Sequence, residues 1–468
     1  MAGNPTDLVM LPDEDSRQSR GCFGKPVMRR RLLAGGTLAG AAAVAACGLS
    51  GGGPDVSRTV QDATIDIWHP WDGTREPLFN KMVRDFEQLY PSIKVRPLVV
   101  LANVHTEKFI ASSVAGTPPA IANPGNTQLP DFVLRGLVEP LDPFMKQEKV
   151  RAEDYYDPDV RASSFQGKVY YLPAYAGTGR RLLYRNTRHF AEAGLDPAKP
   201  PLTWDDFEAA ERKLTVREGS EIKRQAFWGE SFRRWLFSAG GRWVTDDGRK
   251  LQFGDAIGLE VLEWMKRRTE SVYGGWAART AFQQARSNGA LQKDGFYTHE
   301  LSMTVNNQAI FFEAEQVAPT LQYAVSAAPV KRPGLPPSVV EGLAGYSISK
   351  GFKSSREAFL VIKYISYDER GAGWFMREQK RPSPVQKHNE NPELRKINPG
   401  WDIMLAAMKL EKHFPSSGAD AKVDALVATL QSDVLTGKKS PRDALQETVL
   451  AAQQEVDTFW ANAPKPSR

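Results

Sequence analysis

Ala63-Thr64-Ile65-Asp66-Ile67-Trp68-His69-Pro70-Trp71-Asp72-Gly73-Thr74 opens the stretch whose reading decides the fold. Thr64 to Trp68 alternates and is β-branched, which predicts a strand. The polar run His69 to Thr74 predicts a loop at the strand's carboxyl end. Leu78, Phe79, Met82, Val83, Phe86, Leu89 and Tyr90 then recur at helical spacing and mark one apolar face. Thr74 is placed to cap that helix, and Pro77 is tolerated in a first turn whose amides lack partners in any case. Tyr90-Pro91 stops the helix, and Ile93, Val95 and Leu98 to Val100 begin a second strand. The stretch therefore reads as a βαβ unit. Ligands of open α/β sheets sit outside the carboxyl ends of the strands, so His69, Trp71 and Asp72 fall at the lip of a site.

The chain has 468 residues, 41% hydrophobic and 25% charged, an ordinary globular balance with room for roughly two or three domains. Net charge is +6, but the basic residues are interspersed with acidic ones. A nucleic-acid surface needs a concentrated basic stripe, and none is present. Both cysteines, Cys22 and Cys47, precede the first strand, so the body can hold neither a disulfide framework nor a cysteine metal site. The six histidines are scattered and form no His-Glu-x-x-His pattern. No metal or cofactor is expected.

Arg29-Arg30-Arg31-Leu32-Leu33 opens an uncharged Leu/Ala/Gly/Val run that ends at Ala46-Cys47. A basic start, a short apolar segment and small residues before a cut describe an export signal, and the run is shorter than the roughly 20 residues a membrane span needs. Val44-Ala45-Ala46-Cys47 resembles the lipobox of bacterial lipoproteins, which implies cleavage before Cys47 and its acylation. The triple arginine also resembles a twin-arginine signal, so export by that route or by the general secretory route is expected. Residues 1–27 are polar and acidic, which fits either a cytoplasmic extension or a true start at Met28. Gly48 to Val60 is rich in Gly, Ser and Pro and reads as a flexible tether reaching roughly 20 Å.

Further on, Ala120 to Ala122 reads as a buried strand followed by a polar loop, Asn123-Pro124-Gly125-Asn126. Thr203 is placed to cap a helix with Asp205 and Asp206 in its first turn. Strands are expected at Arg181 to Asn186, Met303 to Asn307 and Gly345 to Ser349, and long closing helices at Asp420 to Leu435 and Arg442 to Phe459. Several segments then combine: Ile67-Trp68-His69-Pro70-Trp71, Phe86-Glu87-Gln88-Leu89-Tyr90-Pro91-Ser92-Ile93-Lys94-Val95, Ala115-Gly116-Thr117-Pro118-Pro119 and Gly136-Leu137-Val138-Glu139-Pro140-Leu141-Asp142. With them go Leu183-Tyr184-Arg185-Asn186, Ala193-Gly194-Leu195-Asp196-Pro197 with Thr203-Trp204, and the Gly437 to Leu445 turn and helix. In this order they resemble the extracellular solute-binding proteins of bacterial ABC importers, family 1, in the carbohydrate-binding branch.

The resemblance implies an α/β, two-lobed, periplasmic-binding-protein-like fold (type II, maltose-binding-protein-like) with a cleft between lobes. Lobe 1 would comprise 61–172 and 325–381 and lobe 2 173–324 and 382–462, with crossings near Pro173, Val325 to Pro329 and Arg381 to Pro384. It implies a monomeric receptor, lipid-anchored on the extracytoplasmic face of the cell membrane. Such a receptor would capture a small-molecule solute, a sugar or oligosaccharide, by hinge closure and deliver it to ABC permease subunits. A glycerol phosphodiester or other polar solute is the alternative, and a secreted carbohydrate-active enzyme or adhesin the second. Members that bind glycerophosphate compounds tend to carry a basic residue just before the first closing helix, where this chain has Phe414-Pro415-Ser416-Ser417-Gly418 with only Lys412 and His413 upstream. Maltodextrin-binding members often place an aromatic in that helix, and Asp420 to Leu435 has none.

Catalytic signatures are missing. There is no Gly-x-Ser-x-Gly elbow or phosphate-binding Walker loop, and Gly177-Thr178-Gly179 lacks a third glycine. A sugar site asks less: aromatic faces for the C–H surfaces, and Asp, Asn and hydroxyl groups for hydrogen bonds. Position and family fit select Trp71, Asp72, Asn123, Asn126, Tyr175, Thr178, Glu230, Asn306, Asn307 and Tyr346 as substrate-binding residues. Local readings stand beside several of these: Trp71 as core filler, Asp72 as a helix cap, Asn123 and Asn126 as turn residues, Tyr346 as a sheet residue.

Overall fold

Two sheets, each with its own core, account for the computed structural model, which describes residues 60–174, 181–219, 221–229, 231–284, 294–335, 343–398, 400–410 and 415–463. The strands in chain order are β1 (Ala63–His69), β2 (Ile93–Val99), β3 (Ile121–Ala122), β4 (Ser164–Phe165), β5 (Lys168–Val169) and β6 (Leu172–Pro173). There follow β7 (Leu182–Asn186), β8 (Val216–Glu218), β9 (Glu221–Trp228), β10 (Leu301–Asn306), β11 (Tyr323–Ala327) and β12 (Gly345–Ile348). The first sheet has the order β2-β1-β3-β12-β6 and the second β11-β7-β10-β9-β8, while β4 and β5 form a separate hairpin.

The opening stretch folds as a βαβ unit. β1 and β2 run parallel in a register from Ala63 opposite Ile93 to His69 opposite Val99. Ile65 and Ile67 point into the core, where the helix Glu76–Leu89 meets them with Phe79, Met82, Val83 and Phe86. The expected cap moves. Thr74 lies inside a 3-10 turn, Gly73–Arg75, that precedes the helix, and Arg75 occupies the cap position without a side-chain bond. Thr203 caps as expected, its hydroxyl accepting the Asp206 N–H at 3.2 Å.

β12 pairs antiparallel with both β3 and β6, so it closes the first sheet from a distant part of the chain. Gly345 permits that approach: a Cβ there would lie 2.1 Å from the Leu172 carbonyl oxygen. The second sheet is covered on both faces, which explains why every residue of β7 is buried. Leu183 faces a core with Phe207, Phe227, Trp235 and the closing helices, while Leu182 and Tyr184 face Phe296, Phe311 and Trp401.

The chain passes between the two cores three times. Ala174 and Val385 belong with the first sheet, Leu182 and Ala327 lie in β7 and β11 of the second, and Leu394 joins the second sheet's core. The lobe limit drawn at 325 falls inside β11, whose pairing with β7 keeps Val325 in the second sheet. The second passage therefore lies between Ala327 and Gly345.

Candidate binding cleft

His69 ends β1 and is enclosed, stacked on Phe79 with ring centroids 4.1 Å apart. Burial pushes its pKa down to about 4, so the ring is neutral, and its Nδ1 accepts the Trp71 N–H at 3.3 Å. That bond turns the chain and drops the Trp71 indole into the first core. Trp71 is 4% exposed and packs edge-on against Phe375 at 4.9 Å. Its Nε1 donates to the Tyr346 hydroxyl at 3.0 Å, and Tyr346 is 1% exposed. One or the other of these rings was expected to stack on a ligand. In this structure both rings are buried and hydrogen-bonded to each other, which is the core-filling reading of Trp71 and the sheet reading of Tyr346.

Asp72 remains at the surface and receives Arg75 Nη2 at 3.0 Å. Arg75 also reaches Glu313 of the second lobe at 3.5 Å, so the first loop meets the helix Ile310–Val317 across the interdomain gap. Asn123 and Asn126 act as staples. The Asn123 amide donates to the Gly345 carbonyl at 2.7 Å and its backbone N–H to His105 Nε2 at 3.0 Å. Asn126 exchanges bonds with Leu343, whose N–H reaches Asn126 Oδ1 at 2.9 Å. These bonds fix the second loop and leave the Asn126 Nδ2 without a partner among the described residues.

On the second lobe, Asn306 and Asn307 end β10 half-buried. Asn306 Oδ1 accepts the Asn307 N–H at 2.8 Å and Arg181 Nη1 at 3.4 Å, and Asn307 Oδ1 accepts the Ala309 N–H at 2.8 Å. Their oxygens are used locally and their NH2 groups bond nothing among the described residues. Gln308 follows, fully enclosed, with neither end of its amide bonded among the described residues. It went unrecognised in the sequence although it extends the same carboxamide run. The expected contacts Tyr175, Thr178 and Glu230, and the lipidation residue Cys47, lie outside the described residues.

A second meeting of the lobes lies at Thr127, whose carbonyl accepts the Ser416 hydroxyl at 3.2 Å. Beside it is a cavity of ≈ 560 Å³ lined by Thr127, Gln128 and Asp131 on one side and Gly418, Lys422 and Phe459 on the other. No sequence signal marked it, because its walls come from segments far apart in the chain.

Two α/β lobes, joined by three chain passages and meeting across loops at strand ends, define a type II solute-binding protein. The chain belongs to the bacterial extracellular solute-binding protein family, whose profile matches residues 72–369. It is a solute-binding protein of an ABC transporter, not an enzyme, and acts outside the cytoplasm. Among its relatives is the sn-glycerol-3-phosphate-binding periplasmic protein UgpB of Salmonella typhimurium, 22% identical over 426 residues, covering 85% of this chain and 93% of that one. Among solved structures, CpMnBP1 with mannotriose bound superposes with a TM-score of 0.74 at 21% identity, covering 84% of this chain and 100% of that one. UgpB of Mycobacterium tuberculosis in complex with glycerophosphocholine gives 0.69 at 16% identity, covering 84% and 98%. At these identities the structural likeness concerns the fold.

Proposed function

We propose that this chain captures a neutral, polyhydroxylated solute, a sugar or oligosaccharide, in the cleft and presents it to a membrane permease by closing its lobes. The observation that carries this reading is the run Asn306-Asn307-Gln308. It leaves carboxamide groups with unused hydrogen-bonding capacity at the end of β10. Burying such a group unpaired costs about 1–3 kcal/mol, so a solute rich in hydroxyls gains by pairing them. Meanwhile Arg75, the cation of the first loop, is held by Asp72 and Glu313 and is poorly available to a phosphate. Asp72 accepts from hydroxyls, Asn126, Asn306 and Asn307 donate, and Tyr175, Thr178 and Glu230 complete the site. Closure follows from the ligand's differential affinity for the two lobe arrangements. The protein works as a monomer tethered by an acylated Cys47.

A second reading, a glycerol phosphodiester, is favoured by the likeness to UgpB of Mycobacterium tuberculosis, solved in complex with glycerophosphocholine, and by the related glycerol-3-phosphate-binding protein of Salmonella typhimurium. Titrating the purified protein with neutral sugars and with glycerophosphodiesters, while following its melting temperature, separates the two. A ligand at 100 times its Kd adds about 2.7 kcal/mol of stability. Stabilisation by sugars supports the first reading, and stabilisation by a phosphodiester alone replaces it with the second. Loss of membrane retention in Cys47→Ala tests the anchor.

A further inference from the structure

We propose that Lys380 is the pivot on which the lobes turn: a left-handed residue beside the third passage, tied to lobe 1 through its N–H and to lobe 2 through its carbonyl and its side chain. This rests on the lobe closure invoked above and is independent of which solute is captured. Lys380 follows the helix Trp374–Glu378, whose Phe375 and Met376 lie in the first core. Its N–H donates to the Arg377 carbonyl at 2.8 Å, and the Arg381 N–H reaches back to the Met376 carbonyl at 3.2 Å. Two such bonds around a left-handed residue end a helix, and that residue is ordinarily glycine. Here φ is +55° on a lysine. A side chain is strained in that region, so a lysine there calls for a reason that a plain cap does not supply.

That reason lies on the second lobe. The left-handed turn frees the Lys380 carbonyl from the helix, and Asn398 Nδ2 donates to it at 2.6 Å. Asn398 is fully enclosed. Its Oδ1 accepts the Gly400 N–H at 2.7 Å, and its backbone carbonyl accepts the Trp401 N–H at 3.1 Å. A Cβ on Gly400 would lie 2.7 Å from both Phe311 and Val325, so this turn sits flush on the helix Ile310–Val317 and on β11. The Lys380 ammonium meets Glu315 of that same helix. Glycine would form the cap with less strain but would not reach Glu315.

The chain between the two tied residues is fastened to lobe 1 as far as Asn389. Val385 lies in the first core, and Gln386 Nε2 donates to the Tyr155 carbonyl at 2.7 Å. Asn389 Nδ2 donates to the Ser383 carbonyl at 2.9 Å and to the Tyr156 hydroxyl at 3.3 Å. Leu394 already belongs to the second core. Residues 390–393 lie between, all exposed, and among the described residues their hydrogen bonds reach no further than Lys387 and Lys396. They are the stretch free to change its torsions. Asn398 closes the loop at its base, so the lobes turn through residues 390–393 while the Lys380–Asn398 contact stays in place. Hinge closure asks for such an arrangement: a few residues at an element's end absorb the backbone change.

The test compares the purified full chain with three variants, without ligand and at low salt. It reads the radius of gyration, the melting temperature and the rate of cleavage at Glu390 and Glu393 by a glutamate-specific protease. Asn398→Asp keeps the Gly400 bond and sets a carboxylate oxygen against the Lys380 carbonyl. Lys380→Gly keeps the cap and removes the Glu315 tie, and Lys380→Met removes the tie but keeps the strain. All three should have a larger radius than the wild type. Cleavage should quicken by up to about fivefold in the Lys380 variants, the effect of losing one partly exposed ion pair. Lys380→Gly should melt above Lys380→Met. A plain helix cap would leave Lys380→Gly with the radius and cleavage rate of the wild type, and that result overturns the pivot, as does the reverse melting order. Should Asn398→Asp fail to fold, the Lys380 variants decide alone, since that side chain is 29% exposed. Mannotriose and glycerophosphocholine are then added to the wild type. A probe that raises the melting temperature without contracting the protein overturns lobe closure and the pivot with it. Contraction of the wild type, with variants whose radius equals its unliganded value, overturns the pivot alone.

Discussion

Trp71 shows what a residue type in a loop can conceal. A tryptophan after a strand suits a ligand face or a core equally well, and the deciding partner, Tyr346, lies 275 residues away. No local pattern reveals that pairing, whereas the burial of Ile65 and Ile67 follows from alternation alone. The geometry predicts that Trp71→Ala destabilises the fold by about 3–5 kcal/mol through the cavity it leaves. Trp71→Phe, which loses the hydrogen bond, costs about 0.5–1.5 kcal/mol. Urea denaturation measures both, and a Trp71→Phe chain of unchanged stability that no longer binds its solute would return Trp71 to the ligand. The buried histidines give a second prediction. Burial lowers His69, His105, His189 and His388 from 6.5 to about 4, and in the unfolded chain each titrates at its ordinary value. Between these limits the unfolded state holds more protons, so stability falls as the pH drops from 6.5 towards 4. The slope is at most about 1.4 kcal/mol per pH unit for each histidine. His105→Gln should flatten the curve of unfolding free energy against pH, and an unchanged slope would exclude His105 as a contributor.

At the scale of elements, the apolar spacing of residues 78 to 90 located the first helix and the Thr203 cap located another, while helices such as Phe232–Ser238, Ile310–Val317 and Trp401–Leu410 went unmarked. Boundaries moved where side chains competed for the same amide groups. Thr203 kept its cap because its hydroxyl meets the Asp206 N–H, while Thr74 lost its own to a 3-10 turn in which Asp72 pairs with Arg75. Charge pairs between helices were invisible to periodicity. Glu211 on Trp204–Leu214 and Arg268 on Ala256–Tyr273 meet at 2.7 Å with both side chains fully buried, the guanidinium 4.7 Å from the Trp264 ring centroid. Glu211 also accepts the Tyr273 hydroxyl. Removing one partner strands a buried charge, so Glu211→Ala is expected to cost about 3–5 kcal/mol. The double change Glu211→Leu with Arg268→Met should cost clearly less, because neither member of the pair is then left inside without the other. Equilibrium unfolding of both variants decides the point, and a double variant as unstable as the single one would show that packing geometry rather than charge holds the two helices together.

The two-lobed architecture emerged from the order of many weak segments, but the way the lobes meet did not, since contacts such as Arg75 with Glu313 and Thr127 with Ser416 join residues remote in sequence. Two ion pairs converge on the helix Ile310–Val317: Arg75 of the first loop on Glu313 at 3.5 Å, and Lys380, just before the third passage, on Glu315. Ser416 on Thr127 and Trp460 on Phe165 add contacts elsewhere between the lobes. Partly exposed pairs contribute about 0.2–1 kcal/mol each. That is small beside either core but comparable to the free energies that shift a hinge equilibrium, since 1 kcal/mol changes a population ratio about fivefold. Converting both acids to amides, Glu313→Gln with Glu315→Gln, removes the attraction without removing bulk. Each lobe keeps its own core, so the melting temperature should change little while the unliganded protein spends more time with its lobes apart. Small-angle scattering should then give a larger radius of gyration than the wild type at low salt. Because exposed charges are screened over about 8–10 Å at physiological ionic strength, added salt should expand the wild type towards the variant and leave the variant unmoved. A radius that ignores both the substitutions and the salt would assign the lobe contact to Ser416, Trp460 and the chain passages instead.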